Sequence, residues 1–460
     1  MARVRNVRLE AVVRELGWPQ ERLAAHFRRT AVENRADELI SVTRSHINQW
    51  IRGSRPGGRA PTILRETLSR GLGRVVTLTE IGLAPDGGTQ AVADWDVDTL
   101  VALADLGGAD MDRRDLLANS AYSLAGAALP ADRWWEDTLQ RARTRSSVSR
   151  FTVADAHVES VREAMAFFSR RDQRLGGRAG HAALIAYLKT DVADYVSGRF
   201  PSERVRRDLM AAAGELVYLA GWMAFDSSEH ATAQKAFTLA VKLAAEAEDA
   251  PLAGHILRAM AHQCVDLGHP DRALAFAAGS LERGRYALAS PREKALLGVV
   301  HARALAVAGR AKDARAALRR AEEDLGHAGS SDTGEPARVF FFGEASLAHE
   351  MACTLRDLGD LKSAEAEFGH SVRTRRVQPF ARTHAVTLGY LGDVQVRRGQ
   401  LDAACVTWAQ GLDAMTGVQS GRARETVVQM RRALSPVRGR GGALAAELDE
   451  RARAVLRRIG

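Results

Sequence analysis

The chain is poor in lysine, proline, cysteine and aromatic residues. Only six of its 65 basic residues are lysine, and its 460 residues include 12 prolines, 3 cysteines and 6% aromatics. Scarce proline leaves long segments without a helix breaker. Scarce aromatics remove side chains that sheets favour, while the abundant alanine loses no side-chain entropy in a helix. No stretch alternates apolar and polar residues over a strand's length. An all-α fold is expected.

The other absences exclude functions. Cys264, Cys353 and Cys405 are far apart and odd in number, with no CxxC pair and no metal-ligand spacing. They read as buried small hydrophobes in a reducing compartment. His349, Glu350 and Cys353 spell HExxC, which lacks the second histidine of the zinc pattern HExxH. His255 and His262 share a helix face without a third ligand in sequence. There is no GxxxxGK[ST] phosphate loop and no GxSxG elbow. Neither a metal nor another cofactor is expected, and the chain does not read as an enzyme. The opening MARVRNVRLEAVVREL is charged throughout and has no apolar export core. Arg113 and Arg114 precede LLANSAYSLAGAALP and imitate a twin-arginine signal, but deep in the chain and before a run too short to span a bilayer. A cytoplasmic protein without a membrane partner is expected.

What charge there is lies unevenly. Of the net +9, residues 1–83 hold +7, from fifteen arginines against eight acids. A basic module on a near-neutral body is the footprint of a phosphate-backbone binder. Residues 1–83 read as a compact set of short helices, and APDGGTQAVADWD (84–96) reads as a linker. Residues 97–200 form a helical connecting region that includes Trp134 and Trp135, and residues 201–460 form a helical-repeat domain.

The repeat shows as a turn glycine followed five residues later by alanine. Gly268, Gly309, Gly359 and Gly399 pair with Ala273, Ala314, Ala364 and Ala404, and Ser228 with Ala233 makes a fifth unit. Glycine can take the left-handed cap after one helix, and alanine lets the next approach closely. Neither helix buries its apolar stripe alone, so hairpins must stack into a solenoid. The signature LGxxxxA over roughly 203–416 resembles the tetratricopeptide repeat, although spacings of 40, 41, 50 and 40 exceed that family's period. An effector, whether peptide, small molecule or protein, is expected in the concavity, against Tyr218, Trp222, Arg258, His262 and Arg338.

The strongest local signal lies at 17–59. GWPQERLAAHF (17–27) reads as a helix with Leu23, Ala24 and Phe27 inward. A second helix follows within VTRSHINQWIRGSRPGGR (42–59), with Ile47, Trp50 and Ile51 inward and Gly53 at its end. Its outward face offers Arg44, Ser45, Asn48 and Gln49. Arginine can donate two parallel bonds to guanine, and Asn and Gln can pair bidentately with adenine. Arg52, Arg55 and Arg59 follow, placed for phosphates. The segments PTILRETLSRGLG (61–73) and TLTEIGL (77–83) read as supporting helices.

The pattern QERLA followed by TRSHINQWIRG resembles the phage-repressor, or xenobiotic-response-element (XRE), helix-turn-helix family. By that resemblance Gln20 would contact a backbone phosphate. The sequence departs from it by about a dozen extra residues, TAVENRADELIS (30–41), where a turn of three or four is usual. The full arrangement is similar to actinobacterial regulators that join such a module to tetratricopeptide-like repeats. The resemblance implies a transcriptional regulator that binds double-stranded DNA as a homodimer. The competing reading is a protein-interaction scaffold, which has no need of the Arg44, Asn48 and Gln49 face.

Overall fold

The computed structural model describes residues 5–34, 36–83, 95–108, 122–124, 127–145, 151–329, 334–436 and 442–459. Residues 84–94 of the expected linker lie outside these, as do Arg113, Arg114 and the run to 121. The fold is all-α, and among the described residues the only β pairing is an isolated bridge between Thr152 and Arg199. No described helix is long and apolar enough to cross a membrane.

The N-terminal module holds α1 (Val7–Leu16), α2 (Gln20–Glu33), α3 (Arg44–Ile51) and α4 (Ala60–Leu72). Leu23, Phe27, Ile47, Ile63 and Leu68 form its own apolar core, separate from that of the body. TLTEIGL is not a helix. Thr77 Oγ1 accepts from the Glu80 amide at 3.0 Å and folds the segment into turns. Asn6 Nδ2 donates to the Ile81 carbonyl at 2.9 Å, so Ile81 and Leu83 still reach the core.

Between module and repeats stand α5 (Thr99–Gly108), α6 (Asp132–Thr144), α7 (Asp155–Leu175) and α8 (His181–Tyr187). The last continues through a π-helical turn, Leu188–Val192, into Ala193–Val196. Six hairpins follow, in which each odd-numbered helix is the first of its pair. They are α9 (Glu203–Asp226) with α10 (His230–Glu246), α11 (Ala250–Asp266) with α12 (Pro270–Gly279), and α13 (Pro291–Val307) with α14 (Ala311–Gly326). Then come α15 (Glu344–Asp357) with α16 (Leu361–Thr374), α17 (Ala381–Arg397) with α18 (Leu401–Ala414), and α19 (Gly421–Leu434) with α20 (Gly442–Ile459).

The repeat logic is visible at each turn of the first five hairpins. Gly268, Gly309, Gly359 and Gly399 have φ of 74°, 77°, 82° and 79°, and Ser228 stands in for them at 62°. Ala233, Ala273, Ala314, Ala364 and Ala404 are all 0% exposed, so each marks the point where two helix backbones close up. The sixth hairpin lacks the signature and buries Ala445, Leu448 and Ala452 against its neighbours.

The region 97–200 is no mere connector. Its Trp134, Val158, Val161, Leu184 and Val192 belong to the same continuous apolar cluster as the first four hairpins. Helix α7 packs on both α9 and α17. The Gln419 amide donates to the Leu175 carbonyl at 2.6 Å, and the Gly177 amide donates to Asp226 Oδ2 at 2.9 Å. Ser420 Oγ donates to the other oxygen of Asp226 at 2.9 Å. A Cβ on Gly177 would stand 2.3 Å from the Met223 carbonyl oxygen, which explains why that position carries none. Helix α7 thus ties the start of the solenoid to its end.

Candidate functional site

Two places hold the residues singled out from sequence: the outer face of α3, and the interior of the repeat body.

On α3, Thr43 precedes the first turn and its amide donates to His46 Nδ1 at 3.1 Å, satisfying an otherwise unpaired donor. Ile47, Trp50 and Ile51 turn inward, and Trp50 packs on Phe27 with ring centroids 5.4 Å apart. That fixes the opposite face. Arg44, Ser45 and Gln49 are exposed and Asn48 is half-buried, at helix positions one turn apart. Arg52, at the helix end, is exposed, as is Arg55. Gln20 opens α2, half-buried. Arg59 is placed differently from the phosphate position expected of it. It is half-buried, and its guanidinium donates to the Asn34 carbonyl, one of the unsatisfied acceptors at the end of α2.

The surplus residues at 30–41 divide between two features. Helix α2 runs on to Glu33, and a 3-10 turn, Asp37–Leu39, leads back to α3. Arg28 Nη1 fastens that return by donating to the Val42 carbonyl at 2.9 Å. The lengthened α2 delivers Glu33 and Asn34 to the body. Asn34 Oδ1 accepts from the Tyr122 amide at 2.8 Å. Arg70 makes a fork of two bonds to Glu33, at 2.6 and 2.7 Å, and reaches Glu66 at 2.7 Å. His269 of the body lies 3.3 Å from Glu33. The Tyr122 ring stacks on His269, and its hydroxyl meets Cys264 Sγ at 3.0 Å. The module therefore sits on the body through a buried polar seam.

Two carboxyls in this seam respond oppositely. Burial would raise Glu33, but Arg70 and His269 outweigh it and bring it down to about 2. For Glu66 burial prevails over Arg70 and the Leu124 amide, and its pKa rises. The depressed Glu33 stabilises the fold above its unfolded value of 4.5, and this contribution is lost as pH falls towards about 2. In melting curves, the difference between wild type and Glu33→Gln is expected to shrink over that window. A difference that stays constant with pH would contradict the Glu33 assignment.

The structure brings Tyr218, Trp222, Arg258, His262 and Arg338 together around one cavity of about 80 Å³. Its walls come from α7, the first helix of every hairpin, the 3-10 turn Ala337–Val339 with the phenylalanines that follow it, and Arg375 at the end of α16. Arg258 donates to the Tyr218 hydroxyl at 2.6 Å and lies 5.3 Å over the Trp222 ring. His262 Nε2 meets Arg303 at 3.0 Å, and burial, ahead of the opposing influence of Asp266, keeps this histidine neutral. Arg338 is clasped by Glu293 at 2.7 Å, Glu215 at 2.9 Å and Asp249 at 3.5 Å. Arg382 likewise pairs with Asp172 at 3.2 Å and Asp226 at 3.1 Å. Small-molecule pockets run to about 300–1,000 Å³, so a space this size admits a few waters and little more. As they stand, these residues hold the first helices of the hairpins together.

The near-miss metal pattern is also engaged in packing. His349 Nδ1 meets Thr387 Oγ1 at 2.9 Å, and Glu350 faces Arg303 at 3.5 Å. Burial pushes the Cys353 thiol up to about 12. Among the described residues no group of His, Cys, Asp and Glu is arranged to hold a metal ion.

Sequence reasoning missed the seam residues Glu33, Arg70, Tyr122 and His269, because they are ordinary residues in separate segments. It missed the role of α7 because that helix lies outside the phased repeat.

A family model described as SP15 N-terminal domain matches residues 9–84, which span the N-terminal module from within α1 to its end. No curated protein matches the chain.

Proposed function

We propose that the chain is a sequence-specific DNA-binding transcriptional regulator, and that α3 is its reading helix. One observation carries this reading: Arg44, Ser45, Asn48 and Gln49 share the outer face of a helix anchored from behind by Ile47, Trp50 and Ile51. These side chains make no hydrogen bond within the described protein, so their donors and acceptors are open to base edges. A scaffold has no need of such a face. The resemblance to XRE-type modules points the same way, with Gln20, Arg52 and Arg55 on phosphates.

A single module of this size buries too little surface for tight specific binding, so the chain acts as a homodimer on paired half-sites. The polar seam supports a body that fixes the module's orientation and thereby sets the half-site spacing. Effector binding or dimerisation in the repeats then shifts the population of DNA-competent arrangements.

Arg52→Ala tests the phosphate contacts. It is expected to weaken binding to all duplexes about equally and to lower the slope of log affinity against log salt by roughly one. Fluorescence anisotropy over a salt series reads this. An unchanged slope would remove Arg52 from the interface.

A further inference from the structure

The inner cavity is small, but it shares the wall formed by Phe340, Phe341, Phe342, Ser346 and Arg375 with a much larger outer vestibule of about 790 Å³. That volume lies within the range of small-molecule sites. The vestibule is strongly basic. Arg170, Arg171 and Arg174 enter it from α7, and Arg375 and Arg376 from the end of α16. Its one acidic lining residue, Glu344, is already bonded to His370 at 2.9 Å. Among the described residues, Arg170, Arg171, Arg174 and Arg376 have neither an ion pair nor a side-chain hydrogen bond.

Arg375 is a second, independent observation. It is only 6% exposed, yet no carboxylate bonds to it. Its Nη atoms donate to the Ala345 carbonyl and to the hydroxyls of Ser346 and Ser371, while its buried Nε has no partner. Burial lowers its pKa to about 10, and the carboxylate that opposes this, Glu350, also faces Arg303 at 3.5 Å. A buried cation with an unmade bond is costly unless an anion completes it.

The lining also selects among anions. Guanidinium groups only donate, so the vestibule calls for a ligand rich in acceptors. An extended peptide would bring amide donors that find few acceptors here. Phosphate oxygens accept without donating and match the arginine fork. Beside the arginines stand exposed rings, Phe167 at 55% and Phe340 at 38%. An exposed ring beside arginines is what a base stacks on.

We propose that the vestibule binds a nucleoside polyphosphate, with Arg170, Arg171, Arg174 and Arg376 on the phosphates and the base against Phe340. Arg375 lies between the vestibule and the inner cavity, so an occupied vestibule abuts the charge clasps that hold the first helices together. Binding here is independent of the DNA reading, and triphosphate affinity is measured without DNA, duplex binding of the double variant being read separately.

The test is calorimetric titration of the full chain with ATP, GTP, guanosine and pyrophosphate. A triphosphate is expected to bind at least tenfold more tightly than either guanosine or pyrophosphate. The double variant R174A/R376A changes two exposed side chains and should keep the wild-type melting curve while losing at least tenfold in triphosphate affinity. Phe340→Ala should weaken the triphosphate and leave pyrophosphate unchanged. Absence of triphosphate binding to wild type, or equal binding to R174A/R376A, would overturn the proposal. So would an R174A/R376A defect confined to duplex DNA, which would assign the patch to nucleic acid instead.

Discussion

Arg338→Ala is expected to destabilise the repeat body by roughly 3–5 kcal/mol, the usual cost of removing one partner from a buried charge cluster. Arg338 reaches Glu215, Asp249 and Glu293, which lie at the starts or in the first turns of different hairpins or, for Glu215, midway along α9. The lone guanidinium therefore spans three successive first helices. Burial already pushes Glu215 up, and Arg338 is the group opposing that push. With alanine there, three carboxylates face one another in a poorly hydrated wall, and protonation or local opening must relieve them. Chemical denaturation followed by far-UV circular dichroism checks this. A loss below about 1 kcal/mol, the level of a surface pair, would mean that the clasp contributes little beyond its own desolvation. Arg338→Lys keeps the charge but not the fork, and should fall between the two proteins.

The second large effect concerns specificity. Arg44→Ala and Asn48→Ala should each cost about 1–3 kcal/mol at one base position of the preferred site while leaving non-specific affinity nearly intact. The expectation rests on how α3 is mounted. Ile47, Trp50 and Ile51 fix its rotation, and neither Arg44 nor Asn48 contributes a side-chain hydrogen bond to the fold. Melting temperature should accordingly stay near wild type. Competition titrations with single-base variants of the site would locate the position each residue reads. Unchanged preference in both variants would take the reading role away from this face.

The fold class was legible because its signals are local. A left-handed turn residue followed five positions on by a buried alanine is set by backbone geometry and close approach, and both can be seen in one segment. Even Ser228 at φ 62° follows the pattern in glycine's place. The inward residues of α2 and α3 were legible for the same reason, since helical spacing dictates them. What depended on distant partners was not. The sequence marks 30–41 as surplus, but only packing shows that it extends α2 so that Glu33 and Asn34 can grip Tyr122 and His269. Helix α7 carries no repeat signature, and its place between α9 and α17 is fixed by bonds to Gln419 and Asp226, more than forty residues away in sequence in each case. TLTEIGL reads as a supporting helix, but its two Thr and its Gly are poor helix formers, and the Thr77 and Asn6 hydrogen bonds hold it in turns. Arg59 looked like its exposed neighbours until the open carbonyl of Asn34 gave it a partner.

Whether this chain reads DNA is decided by selecting bound fragments from a sheared genomic pool with the purified full-length protein, alongside Asn48→Ala. A regulator should enrich a defined motif, with two half-sites related by dyad symmetry at a fixed spacing of one helical turn or a multiple of it. The variant should lose the preference at one position in each half-site. Recovery of fragments with no shared motif, at affinities that follow only length and salt, would contradict the reading and leave the exposed face of α3 as a surface without a sequence to read.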